Sequence, residues 1–155
     1  MMRTVFSLIC VAALAQPATA APSPHAVAQT LLDAYLSAWD RADAGALGRA
    51  YATRGVFINP TGNRFVGPAA VTQFYAAAFA RGYAGRTGAA VITSAQSTAP
   101  DLMTAEGRWR INAPAPPAAS AAPECGVFQM QARHEGRGWK VTLLHETSAD
   151  CPENG

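Results

Sequence analysis

Two apolar stripes at helical spacing, one ending at Trp39 and one beginning at Val71, are separated by Gly55-Val-Phe-Ile-Asn-Pro-Thr-Gly62, which no helix can cross. Pro60 offers no backbone donor, and Asn59 and Gly62 tolerate turn dihedrals, so a short strand over Val56 to Ile58 has to stop there. The first stripe, Ala28, Leu31, Leu32, Tyr35 and Trp39, follows Pro24 and leaves Gln29, Asp33, Ser37 and Asp40 on the opposite side, the pattern of an amphipathic helix. Asp43 is placed to cap a shorter helix over Ala44 to Tyr51, with Leu47 and Tyr51 on one face. Gly67-Pro68 opens a third helix whose stripe is Val71, Phe74, Tyr75, Ala78 and Phe79.

Beyond Gly88 the period changes from helical to alternating. Strands are expected over Ala90 to Ser97, Leu102 to Ile111, Val127 to His134 and Trp139 to Thr147. The Ala- and Pro-rich segment Asn112 to Pro123 cannot hold a strand and reads as a loop within a hairpin. Gly82 to Gly88 reads as a flexible connection. The turn Glu135-Gly136-Arg137-Gly138 sets a register with His134 opposite Trp139, Ala132 opposite Val141, Met130 opposite Leu143 and Phe128 opposite His145. Strict alternation then puts these eight side chains on an apolar face, with Gln129, Gln131, Arg133, Lys140, Thr142 and Glu146 outside. Leu144 breaks the pattern. Met103, Ala105, Trp109 and Ile111 share one face of the preceding strand. The fold class expected is α+β, a curved antiparallel sheet whose apolar concave face is covered by three N-terminal helices.

The first residues read differently. Arg3, the apolar run Val5 to Leu14 and Ala18-Thr19-Ala20 form a secretory signal, with residues 1–21 removed and 22–155 left as one domain. The apolar run is too short to span a bilayer, and after signal removal no membrane association is expected. Localisation is therefore read as periplasmic or secreted. With Arg3 removed from the 12 basic side chains, 11 remain against 10 acidic, a net charge of +1. Such a balance gives no footprint for nucleic acid. Cys125 and Cys151, an even pair in an exported chain, are expected to form a disulfide. Their spacing fits no zinc pattern, and no phosphate loop or Ser/His/Asp constellation is present, so neither metal nor cofactor is expected.

The order of these motifs, Tyr35-x3-Trp39-x3-Asp43, a short helix, a strand ending Asn59-Pro60-Thr61-Gly62, then Gly67-Pro68 and a helix with Phe74-Tyr75, resembles the nuclear-transport-factor-2-like superfamily. That superfamily includes ketosteroid isomerases, scytalone dehydratase and SnoaL-like cyclases on a cone-shaped α+β fold. The resemblance spans residues 25 to 148. It implies that Tyr35, eight residues before Asp43, matches the oxyanion-stabilising tyrosine of the isomerase, and that Asn59 stands where the isomerase has its proton-shuttling aspartate. Asparagine takes no proton at working pH, so that base is missing. The isomerase's second, protonated aspartate falls near Met130 or Gln129, neither of them an acid.

Two function classes follow. One is a non-catalytic exported module that holds a small apolar or amphipathic ligand against Tyr35, Trp39, Phe57, Asn59, Trp109, Met130 and His145, or pairs with a second copy as a homodimer through its sheet. The other is an isomerase, dehydratase or cyclase with His145 as acid/base group and Tyr35 or Asn59 as oxyanion donor. Bland roles compete with each: Tyr35 as a core tyrosine bonded to backbone, Trp39 as core, Asn59 as a turn cap and His145 as a rim histidine. Catalysis requires His145 and Tyr35 to converge on one cavity.

Overall fold

The computed structural model describes residues 21–113, 122 and 124–152. The segment read as an export signal and most of the Pro-rich loop lie outside the described residues.

Local signals set the helices. Helix α1, Pro24–Asp40, starts where Ser23 Oγ accepts from Ala26 N at 3.2 Å, with Pro24 in the first turn. Helix α2, Ala44–Arg49, is capped by Asp43, whose Oδ1 accepts from Ala46 N at 2.8 Å. It ends before Tyr51, which opens strand β1, Tyr51–Ile58. The strand is thus longer than proline punctuation alone suggests, and Tyr51 belongs to the sheet. A three-residue strand β2, Arg64–Val66, folds back on β1, and helix α3 runs over Gly67–Ala78. Gly67 turns from strand into helix at φ +82°, a conformation that favours glycine. One π-turn, Phe79–Tyr83, follows, and the chain leaves it at Gly82 with φ +110°.

Strands β3, Gly88–Ala99, β4, Leu102–Ile111, β5, Glu124–Glu135, and β6, Gly138–Ala149, complete a curved six-stranded sheet of order β2-β1-β6-β5-β4-β3. The fold class is α+β, as expected, but the sheet is mixed, because β1 runs parallel to β6. The core fills the concave face: Met103, Ala105, Phe128, Met130, Ala132 and Val141 from the sheet meet Ala28, Trp39, Leu47, Val71 and Tyr75 from the helices.

The hairpin register holds from the turn to Ala132↔Val141 and then slips by one. Thr142 is the extra residue of a β-bulge, and its Oγ1 donates to Gln131 O at 3.3 Å. Past it, Gln131 pairs with Leu143, Gln129 with His145 and Phe128 with Glu146. The inner and outer sets of β6 therefore exchange after the bulge. Leu144 turns inward and is buried, whereas Leu143 and His145 share the outer face with Gln131 and Gln129. The same slip puts Cys125 opposite Ala149, and a turn beyond the strand brings Cys151 to Cys125 with a Cα–Cα distance of 5.1 Å, closing the disulfide.

Gly82 to Gly88 is tied down and does not behave as a free connection. Arg86 within it is only 4% exposed, donating Nε–H to Asn112 O at 3.0 Å and Nη2–H to Ala122 O at 3.0 Å. Its Nη1 pairs with a Glu124 carboxylate oxygen at 2.7 Å. The Arg86 carbonyl in turn accepts Trp39 Nε1–H at 2.7 Å. One side chain thus joins the third-helix connection to both strands that flank the Pro-rich loop.

Candidate functional site

A cavity of about 460 Å³ lies between α1, α3 and the concave face of the sheet. Tyr35, Trp39, Phe57, Asn59, Trp109 and Met130 all line it, so the helix stripes and the pleat bring these six together. His145 does not. The bulge at Thr142 places it on the outer face beside Gln129, and the reading of His145 as acid/base group or ligand contact is thereby overturned. Glu146, placed on the outer face by strict alternation, lines the cavity instead.

Its surroundings determine its chemistry. Burial pushes the Glu146 carboxyl up to about 8, because an apolar wall disfavours the ionised form. What accessible area it keeps opens into the cavity. At neutral pH the group is mostly a carboxylic acid, able to donate a hydrogen bond. Nearby, the Tyr35 and Tyr75 hydroxyls are hydrogen-bonded to one another, with their rings edge to face at 6.0 Å. The Tyr35 phenol therefore finds a side-chain partner, where a backbone partner is the usual outcome. Burial first and the Glu146 charge second lift Tyr35 well above the ordinary tyrosine range. Tyr75 is lifted likewise, first by burial and then by Tyr35, Tyr51 and Glu146. Tyr75 stacks on Phe57 with centroids 5.4 Å apart, which fixes the ring from below.

Tyr51 stands behind this pair. Its hydroxyl is buried, and burial followed by the charges of Tyr35 and Glu146 raises its pKa as well. Tyr75 lies close enough to act on its ionisation through the hydroxyl, opposing the rise. The floor of the cavity is therefore a set of neutral hydroxyl and carboxyl donors.

Asn59 serves the turn. Its Oδ1 accepts from Thr61 N at 3.2 Å, Thr61 Oγ1 at 2.9 Å and Asn63 N at 2.8 Å, leaving only the amide nitrogen to face a ligand. Trp39 is buried among Tyr75, Phe79 and Tyr83 while still lining the cavity, so it is at once core and wall. Trp109 lies across Gly126, where a Cβ would come within 2.4 Å of the indole, and donates Nε1–H to Val127 O at 3.1 Å. Among the described residues no group of His, Cys, Asp and Glu could hold a metal ion, and no helix is long and apolar enough to cross a membrane.

Sequence reasoning missed Glu146 and Tyr75 as site residues. The only signal for the first was Leu144, the apolar residue that violated the alternation.

A curved sheet wrapped on three helices around a cavity with polar groups at its floor defines a cone-type α+β domain. A SnoaL-like domain is matched over residues 32–138, and the chain belongs to that family. No curated protein matches the sequence. Among solved structures the chain is similar to a Nostoc punctiforme domain of unknown function with a cystatin-like fold, at 16% identity and TM-score 0.72, covering 84% of this chain and 80% of that one. It is similar too to a ketosteroid isomerase-like protein from Erwinia carotovora atroseptica, at 19% identity and TM-score 0.66, covering 82% and 97%. A third similar structure, assigned as a calcium/calmodulin-dependent protein kinase II association domain from Xanthomonas campestris, has 12% identity and TM-score 0.68, covering 90% and 94%. At such identities the likeness concerns the fold alone.

Proposed function

We propose that the protein is an exported binding domain whose cavity holds a small ring compound through an oxygen acceptor, a carbonyl or hydroxyl, on the ligand's buried part. The observation that carries this reading is the neutral donor floor, Tyr35 bonded to Tyr75 with Glu146 beside them, under walls of Phe57, Trp39, Trp109 and Met130. Apolar walls with a few convergent donors suit such a ligand. Export is supported by the leader composition and by the disulfide, which persists in oxidising compartments. Both Trp39 and Trp109 line the cavity, so intrinsic fluorescence reads occupancy directly. Titration with 2-naphthol is expected to give saturable quenching, and Tyr75→Phe to weaken binding about fivefold, the loss of one hydrogen bond of about 1 kcal/mol. Absence of saturable quenching overturns the reading.

A second reading, a lyase- or isomerase-type enzyme, is favoured by one observation, the Glu146 carboxyl held near 8. A carboxyl tuned close to working pH can exchange protons with a carbonyl compound. Loss of α-protons from a cyclic ketone in deuterated water, followed by NMR and abolished by Glu146→Gln, would establish it; exchange no faster than buffer leaves binding alone.

We also propose that two copies pair through the outer face of the sheet. There Val91, Arg108, Val127 and Thr147 form one cross-strand row, with Val91 58% and Val127 45% exposed. The association-domain neighbour supports the pairing. Light scattering is expected to report a dimer at micromolar concentration, and Val127→Glu a monomer; a wild-type monomer at high micromolar concentration removes the proposal.

A further inference from the structure

Three charged side chains face the cavity, Arg81, Glu124 and Glu146, while Arg110 at its border stands in the outer row of β4, two residues beyond Arg108. They do not balance. Glu124 is neutralised by Arg86 at 2.7 Å and also accepts from Tyr83 Oη at 3.0 and 3.1 Å. Glu146 is mostly protonated at neutral pH. That leaves the Arg81 guanidinium. Arg81 donates Nε–H to Ala77 O at 3.1 Å. It forms no ion pair with an acid among the described residues. It therefore keeps its Nη–H donors, the edge that binds a carboxylate in a fork.

The position of Arg81 adds a second observation. It stands on a wall shared by the main cavity and a neighbouring hollow of about 520 Å³, together with Asn59, Thr61 and Phe74. The hollow also presents Asn63 and Gln73, so polar character increases outward from the aromatic walls. Arg81 is exposed, which places its charge at the solvent side. It follows Tyr75 by six residues, about 9 Å along the chain axis at a helical rise of about 1.5 Å per residue. A ligand with its acceptor on the tyrosine floor reaches Arg81 if it is about two fused rings long.

We infer that the ligand is amphipathic in a defined sense: a ring body with an oxygen acceptor at its buried end and an anionic group, carboxylate in kind, at its outer end, received by Arg81. This rests on the reading of the cavity as a ring-binding site and names the ligand class. An uncompensated cation at the opening of a low-dielectric pocket focuses positive potential there, which favours the anion and disfavours a neutral or cationic analogue.

The test uses a matched pair, 6-hydroxy-2-naphthoic acid and its methyl ester, titrated into the whole protein at pH 7 with tryptophan fluorescence as readout. The acid is expected to bind at least tenfold more tightly than the ester at low salt, with the advantage shrinking as ionic strength rises. Arg81→Met should bring the acid-to-ester ratio to about one, and Arg81→Lys should retain an intermediate ratio. Circular dichroism checks that the variants fold. If the ester binds as tightly as the acid, or if Arg81→Met keeps the wild-type ratio, the inference falls and ring binding stands. If neither compound binds, ring binding and the inference fall together.

Discussion

Glu146→Gln stabilises the protein increasingly as pH rises from about 5 to 8. The folded carboxyl titrates near 8 and the unfolded one near 4.5. Below about 4.5 both states hold the proton, and the wild type loses nothing. Between the two values the unfolded chain ionises while the fold keeps its proton, so wild-type stability falls with pH, at up to about 1.4 kcal/mol per unit. Above 8 the loss levels off. The full interval corresponds to roughly 5 kcal/mol, which partial access to the cavity lowers to about 2–3 kcal/mol. Glutamine cannot ionise and escapes the loss. Facing groups do not blur the effect, since burial holds Tyr35, Tyr51 and Tyr75 neutral throughout this window. Urea unfolding of both proteins at several pH values between 5 and 8 gives the difference; parallel curves would show that Glu146 is solvated like any surface carboxylate.

The second large effect is expected at Arg86. Arg86→Met removes three hydrogen bonds at one stroke, leaving the Asn112 and Ala122 carbonyls without their Arg86 donor and the Glu124 carboxylate with Tyr83 Oη alone. Breaking a fully buried pair costs about 3–5 kcal/mol. Glu124's side chain is 43% exposed and can turn to water, so about 2–3 kcal/mol is expected. Glu124→Gln alone should cost less than half as much, because Arg86 keeps both carbonyls. Equal losses for the two variants in urea unfolding would show that the ion pair, and not the carbonyl contacts, holds the segment.

What the sequence disclosed and what it concealed divide along the range of the interactions. Pro24 and Asp43 act within one turn, and the helices they begin were legible from those residues and from stripe periodicity. The pairing of Cys125 with Cys151 was legible because only two cysteines follow residue 21. Tyr35, Trp39 and Met130 could be placed at the cavity because helix and strand periods carry them there. Strand β2 was not foreseen: three residues carry no period, and only their pairing with Val56–Ile58 makes them a strand. Arg86 was missed because its partners lie 26 to 38 residues further along the chain. Glu146 was misassigned by a rule that holds for an unbroken ladder. Leu144 recorded the break, an apolar side chain counted into a polar row, but one violation of alternation does not say whether the strand is bulged or the residue merely exposed.

The bulge gives the cavity a property that no single side chain has. Which of two neighbouring residues reaches the floor is decided by whether Thr142 is looped out of the ladder or paired within it, not by which amino acids β6 contains. Removing Thr142 would leave a regular ladder with the same pairs beyond it and Glu146 still inward, whereas pairing Thr142 within the ladder would turn Leu143 and His145 inward and Leu144 and Glu146 outward without altering any residue. In descent, a lineage can thus exchange an acid for an imidazole by straightening one bulge. Two relatives aligned column by column could then share every letter around the site and still differ in the chemistry they expose.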